Sequence, residues 1–573
     1  MPDRTDVLVI GSGFGGSVVA QRLAADGREV CVVERGKAYP PGSFPRAPGK
    51  LATNFWDPAK GLHGLFDVWS FRGIDAIVAS GLGGGSLIYA NVMLRKPETW
   101  FRQPHPYRPG IQETWSFSRA DLDPHYDAVE RFLDVQTLPT EGVSTPLDPA
   151  YLLPKVAQFH AAGAGNATPV YAPLAVRFRD AANEPVIGAP VPESSYPNVF
   201  GLRRRTCRLC GECDTGCNDG AKNSLDHTYL SAAGHHGASL HQRTEVRTLT
   251  RRADGRFDVG VVVHRPEDEG WLTPAATLPL RTVVADHVVI AAGTLGSTNL
   301  LLRNATRLGL SNPALGTRFC GNGDLLGFIV NVAAQLDGWQ GPVITSFLEF
   351  PDESDTGAPD DFGMYIQDAG YPEFAAWLVE TAVGAKRLPA LAKFVAAEVW
   401  SRIRGRRDTS LSDEVSALLG RPSVTTRGMP VLGMGMDVPD GTLFLTRDAD
   451  GADMLDSTWT ARTSMAYFDT MVRRMCALAD TLGGDFVVNP TYHLNRVVTV
   501  HPLGGCPADT DHSPGVVDAF GRVRGVPGLR VVDGSVFPGP IGSNPSLTIA
   551  AFADRAATQM LAEDAGYERW PQL

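Results

Sequence analysis

The chain has 573 residues, 43% hydrophobic and 20% charged, a globular composition that excludes wholesale disorder, collagen-like and coiled-coil architectures. Fifty-two basic against 63 acidic residues give a net charge of −11 with no basic tail or block, so nucleic acid is not an expected partner. At roughly 150 residues per domain the length allows three or four domains or one large cofactor enzyme, and no window reaches the ~18–20 apolar residues of a membrane span.

The N-terminus, MPDRTDVLVIG, is acidic at Asp3 and Asp6 and enters a strand at once, so no signal peptide is expected. Eight cysteines in a chain this long do not make a disulfide scaffold. Four of them fall within eleven residues, which points to metal or redox use in a reducing compartment, by default the cytoplasm.

Asp6 to Ile10 predicts a buried parallel strand that breaks into Gly11-Ser12-Gly13-Phe14-Gly15-Gly16 and then a helix with Val19 and Leu23 on one face, ended by Gly27. A second strand over 29–33 leads to Glu34, 18 residues beyond Gly16, near the spacing at which an acidic side chain meets a ribose hydroxyl. Gly11 permits the tight turn, Gly13 lets the backbone approach a pyrophosphate, and Gly16 allows close helix packing, with phosphates on the helix N-terminus. This unit alone fits NAD as well as FAD.

Residues 79–93, ASGLGGGSLIYANVM, hold Gly81, Gly83, Gly84 and Gly85 in a loop whose main chain can lie against a flat ring system. Residues 101–199 are rich in Pro and aromatics, with one clear helical pattern over 121–135. Residues 286–302, DHVVIAAGTLGSTNLLL, predict a strand, a second nucleotide-facing turn at Gly293 and a helix. Residues 529–555 predict a strand, an Asp533-Gly534 turn, a Pro-rich loop and a long apolar helix.

Taken together, GSGFGG with Glu34, GLGGGS at 81–86, AAGTLGS at 291–297 and the closing HPLGGC, VVDGSVFP and GSNPSLTIAA resemble the GMC family of flavin alcohol oxidoreductases. Within it the sequence looks most like cholesterol oxidases of the non-covalent FAD type and their larger relatives. The resemblance implies an α/β fold, a Rossmann-like FAD-binding domain with a discontinuous α+β substrate-binding cap. FAD-binding pieces are expected at 1–100, 200–325 and 495–573 and cap pieces at 101–199 and 326–494, with a helical insertion near 371–420. It also implies FAD held without a covalent bond, with Glu34 on the adenosine ribose and Asp533 near the ribityl chain. Gly11, Gly13, Gly16, Gly81, Gly83, Gly84, Gly85, Ser86, Asn91, Val246 and Gly293 complete the expected cofactor contacts.

Alcohol oxidation by a flavin removes the hydroxyl proton and passes the carbon-bound hydride to flavin N5, so a base and an orienting group must meet on one side of the ring. His501, in VTVHPLGG, and Asn544, in GSNP, match the family's His and Asn positions. A histidine suits proton acceptance or orientation of the hydroxyl, and an amide can bond the substrate oxygen without changing charge. In steroid-oxidising relatives a glutamate from a central-domain strand also isomerises the ketone by moving a proton, and Glu349 in FLEF is the best local match. The sequence departs from cholesterol oxidase at Tyr89-Ala90, where an Asn-Gly pair is expected. That departure sets a phenol beside the flavin or moves the amide to Asn91.

Cys207, Cys210, Cys213 and Cys217 form a C-x2-C-x2-C-x3-C run that resembles the ferredoxin ligand pattern. Three readings stand open: an iron-sulfur cluster, with Cys217 or one of Cys31, Cys320, Cys476 and Cys506 as fourth ligand; a zinc site; and reduced structural or disulfide-bonded cysteines. A cluster near the flavin favours a dehydrogenase with an outside redox acceptor, and Arg203-Arg204-Arg205 are either a docking patch for it or a solvated basic loop; without a cluster, dioxygen is a candidate acceptor. After Pro389, Leu391, Val395, Val399 and Ile403, with Lys393, Arg402, Arg404, Arg406 and Arg407 nearby, predict an amphipathic helix with a basic end. It is either a lid packed on its own cap or a peripheral membrane contact, with Trp377 and Trp400 on its apolar side.

The sum predicts an FAD-dependent oxidoreductase acting on the CH–OH group of a bulky hydrophobic alcohol, first a 3β-hydroxysteroid such as cholesterol. The alternatives are a dehydrogenase of another alcohol routing electrons through an iron-sulfur cluster, a lyase whose flavin does not turn over, and a redox-sensing or electron-carrying flavoprotein.

Overall fold

Val7 to Ile10 are buried, and in the computed structural model they lie in the middle of a seven-stranded sheet. The structure describes residues 1–46, 53–164, 167–192, 194–270, 278–351, 362–371, 426–447, 451 and 453–564. The amphipathic helix expected through Leu391 to Ile403 lies outside the described residues.

The order of the first sheet is Ser239–His241, Val30–Val33, Arg4–Ile10, Arg281–Ile290, Phe257–Val263, Thr244–Arg251, with Leu529–Val531 also paired to Arg281–Ile290. Its central pairs are parallel, which is why these strands read as unbroken apolar runs: both faces are covered. The helices Phe14–Ala25 and Ser546–Asp564 pack on each other and join its core.

The second sheet is antiparallel throughout, in the order Asp485–Val488, Leu325–Val330, Met429–Gly435, Met364–Asp368, Ser346–Phe350, Pro169–Tyr171. Its side chains alternate between faces. Leu325, Ile329, Val431, Ile366, Leu348 and Phe350 share a core with the helix Met465–Thr481. The other face carries Leu326, Leu432, Gln367 and Phe347 in one register row. Glu349, Tyr365 and Met434 form the next row.

A small third sheet joins the two ends of the chain. Strand Ile74–Ala79 runs into the glycine-rich loop at 81–86, and strand Val497–Thr499, parallel to it, runs into His501. Parallel neighbours end on the same edge, so the glycine loop and His501 emerge side by side.

Candidate active site

The turn after strand Arg4–Ile10 is drawn tight by its glycines. Gly11 has φ +97°, and a side chain there would start 2.3 Å from the Ala291 carbonyl oxygen. A Cβ on Gly16 would lie 2.1 Å from the Gly11 oxygen, so the helix sits directly on the turn. Gly13 differs: no atom lies within 4 Å of its missing Cβ. The loop at 81–86 rests on this turn, for the Gly83 amide donates to Ser12 Oγ at 3.0 Å and a Cβ on Gly84 would lie 2.6 Å from Gly13 Cα. Ser86 Oγ donates to the Gly83 carbonyl (2.7 Å) and accepts from the Leu225 amide (3.0 Å), which closes that loop.

Glu34 Oε2 accepts from the Ser12 amide (3.1 Å) and hydroxyl (2.7 Å), and Oε1 from the Gly36 amide (2.9 Å). Its carbonyl accepts from the Thr244 amide at 2.7 Å, which brings Val246 to the same end of the sheet. Asp533 joins the second turn to the first sheet: Oδ2 accepts from the Gly293 amide and Oδ1 from the Ser535 amide, both at 2.9 Å. Gly293 has open space at its Cβ position, as does Gly85. Asn91 is fully buried at φ +69°, and neither atom of its amide has a hydrogen-bond partner among the described residues. Buried amides left unmatched call for a polar ligand. Open space at Gly13, Gly85 and Gly293, a free helix N-terminus and the unmatched Asn91 amide fit a dinucleotide cofactor.

His501 and Asn544 stand on separate loops, and one short turn holds both. Asp324, 1% exposed, accepts from His501 Nδ1 at 2.8 Å and from Thr499 Oγ1 and the Val500 amide at 2.9 Å each. Two residues earlier, Asn322 Oδ1 accepts from the Ile541 (2.9 Å) and Gly542 (2.8 Å) amides, and its Nδ2 donates to the Ser543 carbonyl at 3.0 Å. The buried Lys96 ammonium donates to the Pro540 carbonyl at 2.7 Å and further fixes that loop. The turn itself is tied to the His501 loop by paired 3.1 Å bonds between Cys320 and Leu503.

From the opposite side, Gln367 Nε2 donates to Asn544 Oδ1 at 2.8 Å, both residues being buried. Glu349 does not take this place. It is exposed, accepts from the Tyr365 hydroxyl at 3.0 Å, and has no hydrogen bond to His501 or Asn544. Register is the reason: Glu349 pairs with Tyr365, whereas Gln367 pairs with Phe347, so the row that meets Asn544 carries an amide. Asp324, Asn322 and Gln367 escaped the sequence reading. The only local signal was Gly321-Asn322-Gly323-Asp324, two polar residues alternating with glycines at the mouth of an apolar strand.

Tyr89 packs its ring on Phe14 at 5.3 Å, with Lys222 Nζ 4.7 Å from the ring centroid. Lys222, buried, donates to the carbonyls of Leu87 (3.1 Å), Tyr89 (2.8 Å) and Cys213 (2.9 Å), which anchors the cysteine loop to the glycine loop. The expected ligand set Cys207, Cys210, Cys213 and Cys217 is not assembled. Among the described residues no group of three or more His, Cys, Asp or Glu comes together to hold a metal ion, and all eight cysteines are free. Two of the sulfurs serve their own loop instead: Cys207 Sγ accepts from the Leu209 amide (3.4 Å) and Cys217 Sγ from the Ala221 amide (3.3 Å). Burial pushes the Cys210 thiol up to about 12, so it stays protonated. No described helix is long and apolar enough to cross a membrane.

Comparison with known proteins gives one consistent result. Family profiles described as GMC oxidoreductase match residues 5–320 and 440–553. Cholesterol oxidase of Mycobacterium tuberculosis is 31% identical over 96% of this chain and 90% of its own length. Paromamine 6'-oxidase of Streptomyces fradiae is 27% identical over 96% of this chain and 90% of its own length. Among solved structures, pyridoxine 4-oxidase from Mesorbium loti has a TM-score of 0.56 at 15% identity, covering 97% of this chain and 99% of that one, a likeness of fold.

Proposed function

The chain belongs to the GMC oxidoreductase family and is an FAD-dependent alcohol oxidoreductase, and from that premise we propose that it oxidises the CH–OH group of a bulky hydrophobic alcohol, first a 3β-hydroxysteroid. The observation that carries this reading is the sheet face beside Asn544. Leu326, Phe328, Leu432 and Met436 are only half-buried there, an apolar surface next to the Gln367–Asn544 contact. Such a face suits a hydrophobic ligand with a few placed polar groups. The likeness to a cholesterol oxidase agrees with it, while a relative named for oxidising paromamine makes a polar alcohol the competing class.

In this reading the body around the first sheet, from 1–100, 200–325 and 495–573, holds FAD, and the pieces 101–199 and 326–494 form the cap. The turn Gly11–Gly16, Glu34, the loop 81–86, Asn91, Val246, Gly293 and Asp533 would hold the cofactor. Bound FAD supplies the hydride acceptor. His501 donates Nδ1–H to Asp324 and so presents Nε2 as the acceptor for the substrate's hydroxyl proton. Asn544, gripped by Gln367 and by the Asn322-bound loop, keeps amide hydrogen-bonding capacity for the substrate oxygen. Fixed donors aimed where negative charge develops lower the barrier without reorganising. Both relatives and the structural neighbour are oxidases by name, so dioxygen is the first acceptor to test.

The test is an anaerobic titration of the FAD-loaded protein with 3β-hydroxysteroids and with polar alcohols, followed by flavin absorbance. Bleaching by the steroid is expected. Bleaching by a polar alcohol alone would replace the substrate class, and bleaching by neither would favour non-redox chemistry.

A further inference from the structure

Behind the Asp324–His501 pair lies a second carboxyl that the mechanism above does not use. Asp437, just past strand Met429–Gly435, is 2% exposed. Its Oδ2 accepts from the Gly321 amide at 2.8 Å, at the start of the same turn that carries Asp324. Its Oδ1 is buried and has no hydrogen-bond partner among the described residues.

The groups around it only partly offset the burial of a charge. From the turn, the Gly321 and Gly323 amides and the Cys320 thiol favour the carboxylate, and the Asp324 carboxylate repels it. Tyr467, from the helix Met465–Thr481, gives its hydroxyl to the Gly323 carbonyl at 2.9 Å. Lys96 faces Cys320, but its ammonium is taken up by the Pro540 and Ile541 carbonyls. His501 is reached only through Asp324, which has three donors of its own. No Lys, Arg or His forms an ion pair with Asp437 among the described residues. A buried carboxylate with an unmatched oxygen beside another carboxylate is costly, and a proton removes the cost.

We propose that Asp437 is a proton-holding positioning residue, a neutral carboxylic acid behind Asp324, so that a single carboxylate charge faces His501 and the imidazole keeps the lone pair that takes the substrate's proton. Two charges behind the ring would favour imidazolium, which has no such lone pair. Burial, with the Asp324 charge added, pushes the Asp437 carboxyl up to about 8. The role assigned to His501 is that of the proposed function, but the protonation of Asp437 is independent of it.

The experiment is infrared difference spectroscopy of the resting FAD-loaded enzyme, carrying 13C-labelled aspartate, titrated between near pH 6 and near pH 9 without substrate. A carbonyl band of a buried protonated aspartic acid is expected at the acid end, fading as pH rises and missing from Asp437→Asn. No such band, or a band left undiminished in Asp437→Asn, overturns the proposal; the buried Asp214 and Asp533 carboxyls, also pushed up, contribute equally to both proteins. In parallel, the acid limb of the flavin-reduction rate against pH keeps its midpoint in Asp437→Asn, because a neutral group has replaced a neutral group. A shift of that limb to lower pH by about one unit, a tenfold change in proton affinity, would show that a charge had been removed and would also overturn it. Should no alcohol reduce the flavin, the proposed function fails and the infrared band alone decides this inference.

Discussion

Asn322 and Asp324, two residues apart in one turn, grip two loops that meet from distant parts of the chain. Asp324 accepts from His501 Nδ1 at 2.8 Å, while Asn322 accepts from the Ile541 and Gly542 amides and so sets the loop that presents Asn544. Because strand Leu325–Val330 begins at the next residue, the spacing between His501 and Asn544 is fixed by the same sheet that carries Gln367. Positioning of this kind is what the proposed roles of His501 as proton acceptor and Asn544 as partner of the substrate oxygen require.

Asp324→Asn removes the charge that holds the Nδ1–H tautomer of His501. The flavin-reduction rate is expected to fall by roughly 10²- to 10³-fold with FAD content unchanged, as read by rapid mixing under anaerobic conditions. A loss of FAD in place of the rate loss would make Asp324 a folding residue.

Gln367 has no proton to shuttle, so a 3β-hydroxysteroid with a neighbouring double bond is expected to leave as the unconjugated ketone. Gln367→Glu supplies a carboxyl beside Asn544 and should bring conjugated enone into the product. Ultraviolet spectra of quenched reactions check both, and conjugated product from the unaltered protein would contradict this account.

Gly13 and Gly16 separate two roles of one motif. A Cβ at Gly13 meets no protein atom within 4 Å beyond its chain neighbours, whereas one at Gly16 would meet the Gly11 oxygen at 2.1 Å. Gly13→Val is therefore expected to melt like the unaltered apoprotein yet lose FAD, and Gly16→Val to lose both stability and FAD. Thermal melts with and without FAD, with the bound flavin quantified, distinguish them.

Burial lowers the His227 imidazole to about 4, against about 6.5 for a free histidine. The unfolded chain takes up this proton first as pH falls, so the contribution is full above about pH 6.5 and is lost towards pH 4, by about 3 kcal/mol. His227→Gln should flatten the decline in melting temperature across that range, and an unchanged decline would place the acid sensitivity elsewhere.

The dinucleotide half of the site was legible because its chemistry is local. Gly11, Gly13, Gly16 and Glu34 lie within one βαβ unit, and the spacing that builds the turn is the spacing in the sequence. His501 and Asn544 were legible through their motifs. Glu349 lies on the right sheet but outside the row that meets Asn544: strand alternation can be read from sequence, but the register that puts Gln367 opposite Phe347, two residues before Glu349, cannot. Asp324 and Asp437 were hidden for the same reason, since their meeting depends on how a turn and a strand end pack 113 residues apart. The cysteine run showed its spacing but not its sulfur partners, and two of those partners are amides of the loop itself.

The central claim is that His501 takes the substrate's proton as the flavin is reduced. The most direct measurement is the anaerobic flavin-reduction rate of His501→Ala, with FAD content verified, against the unaltered protein on whichever alcohol bleaches it fastest. The account predicts a fall of at least about 10³-fold with FAD still bound. A rate within a few-fold of the unaltered protein would contradict it and move the proton acceptor to another residue.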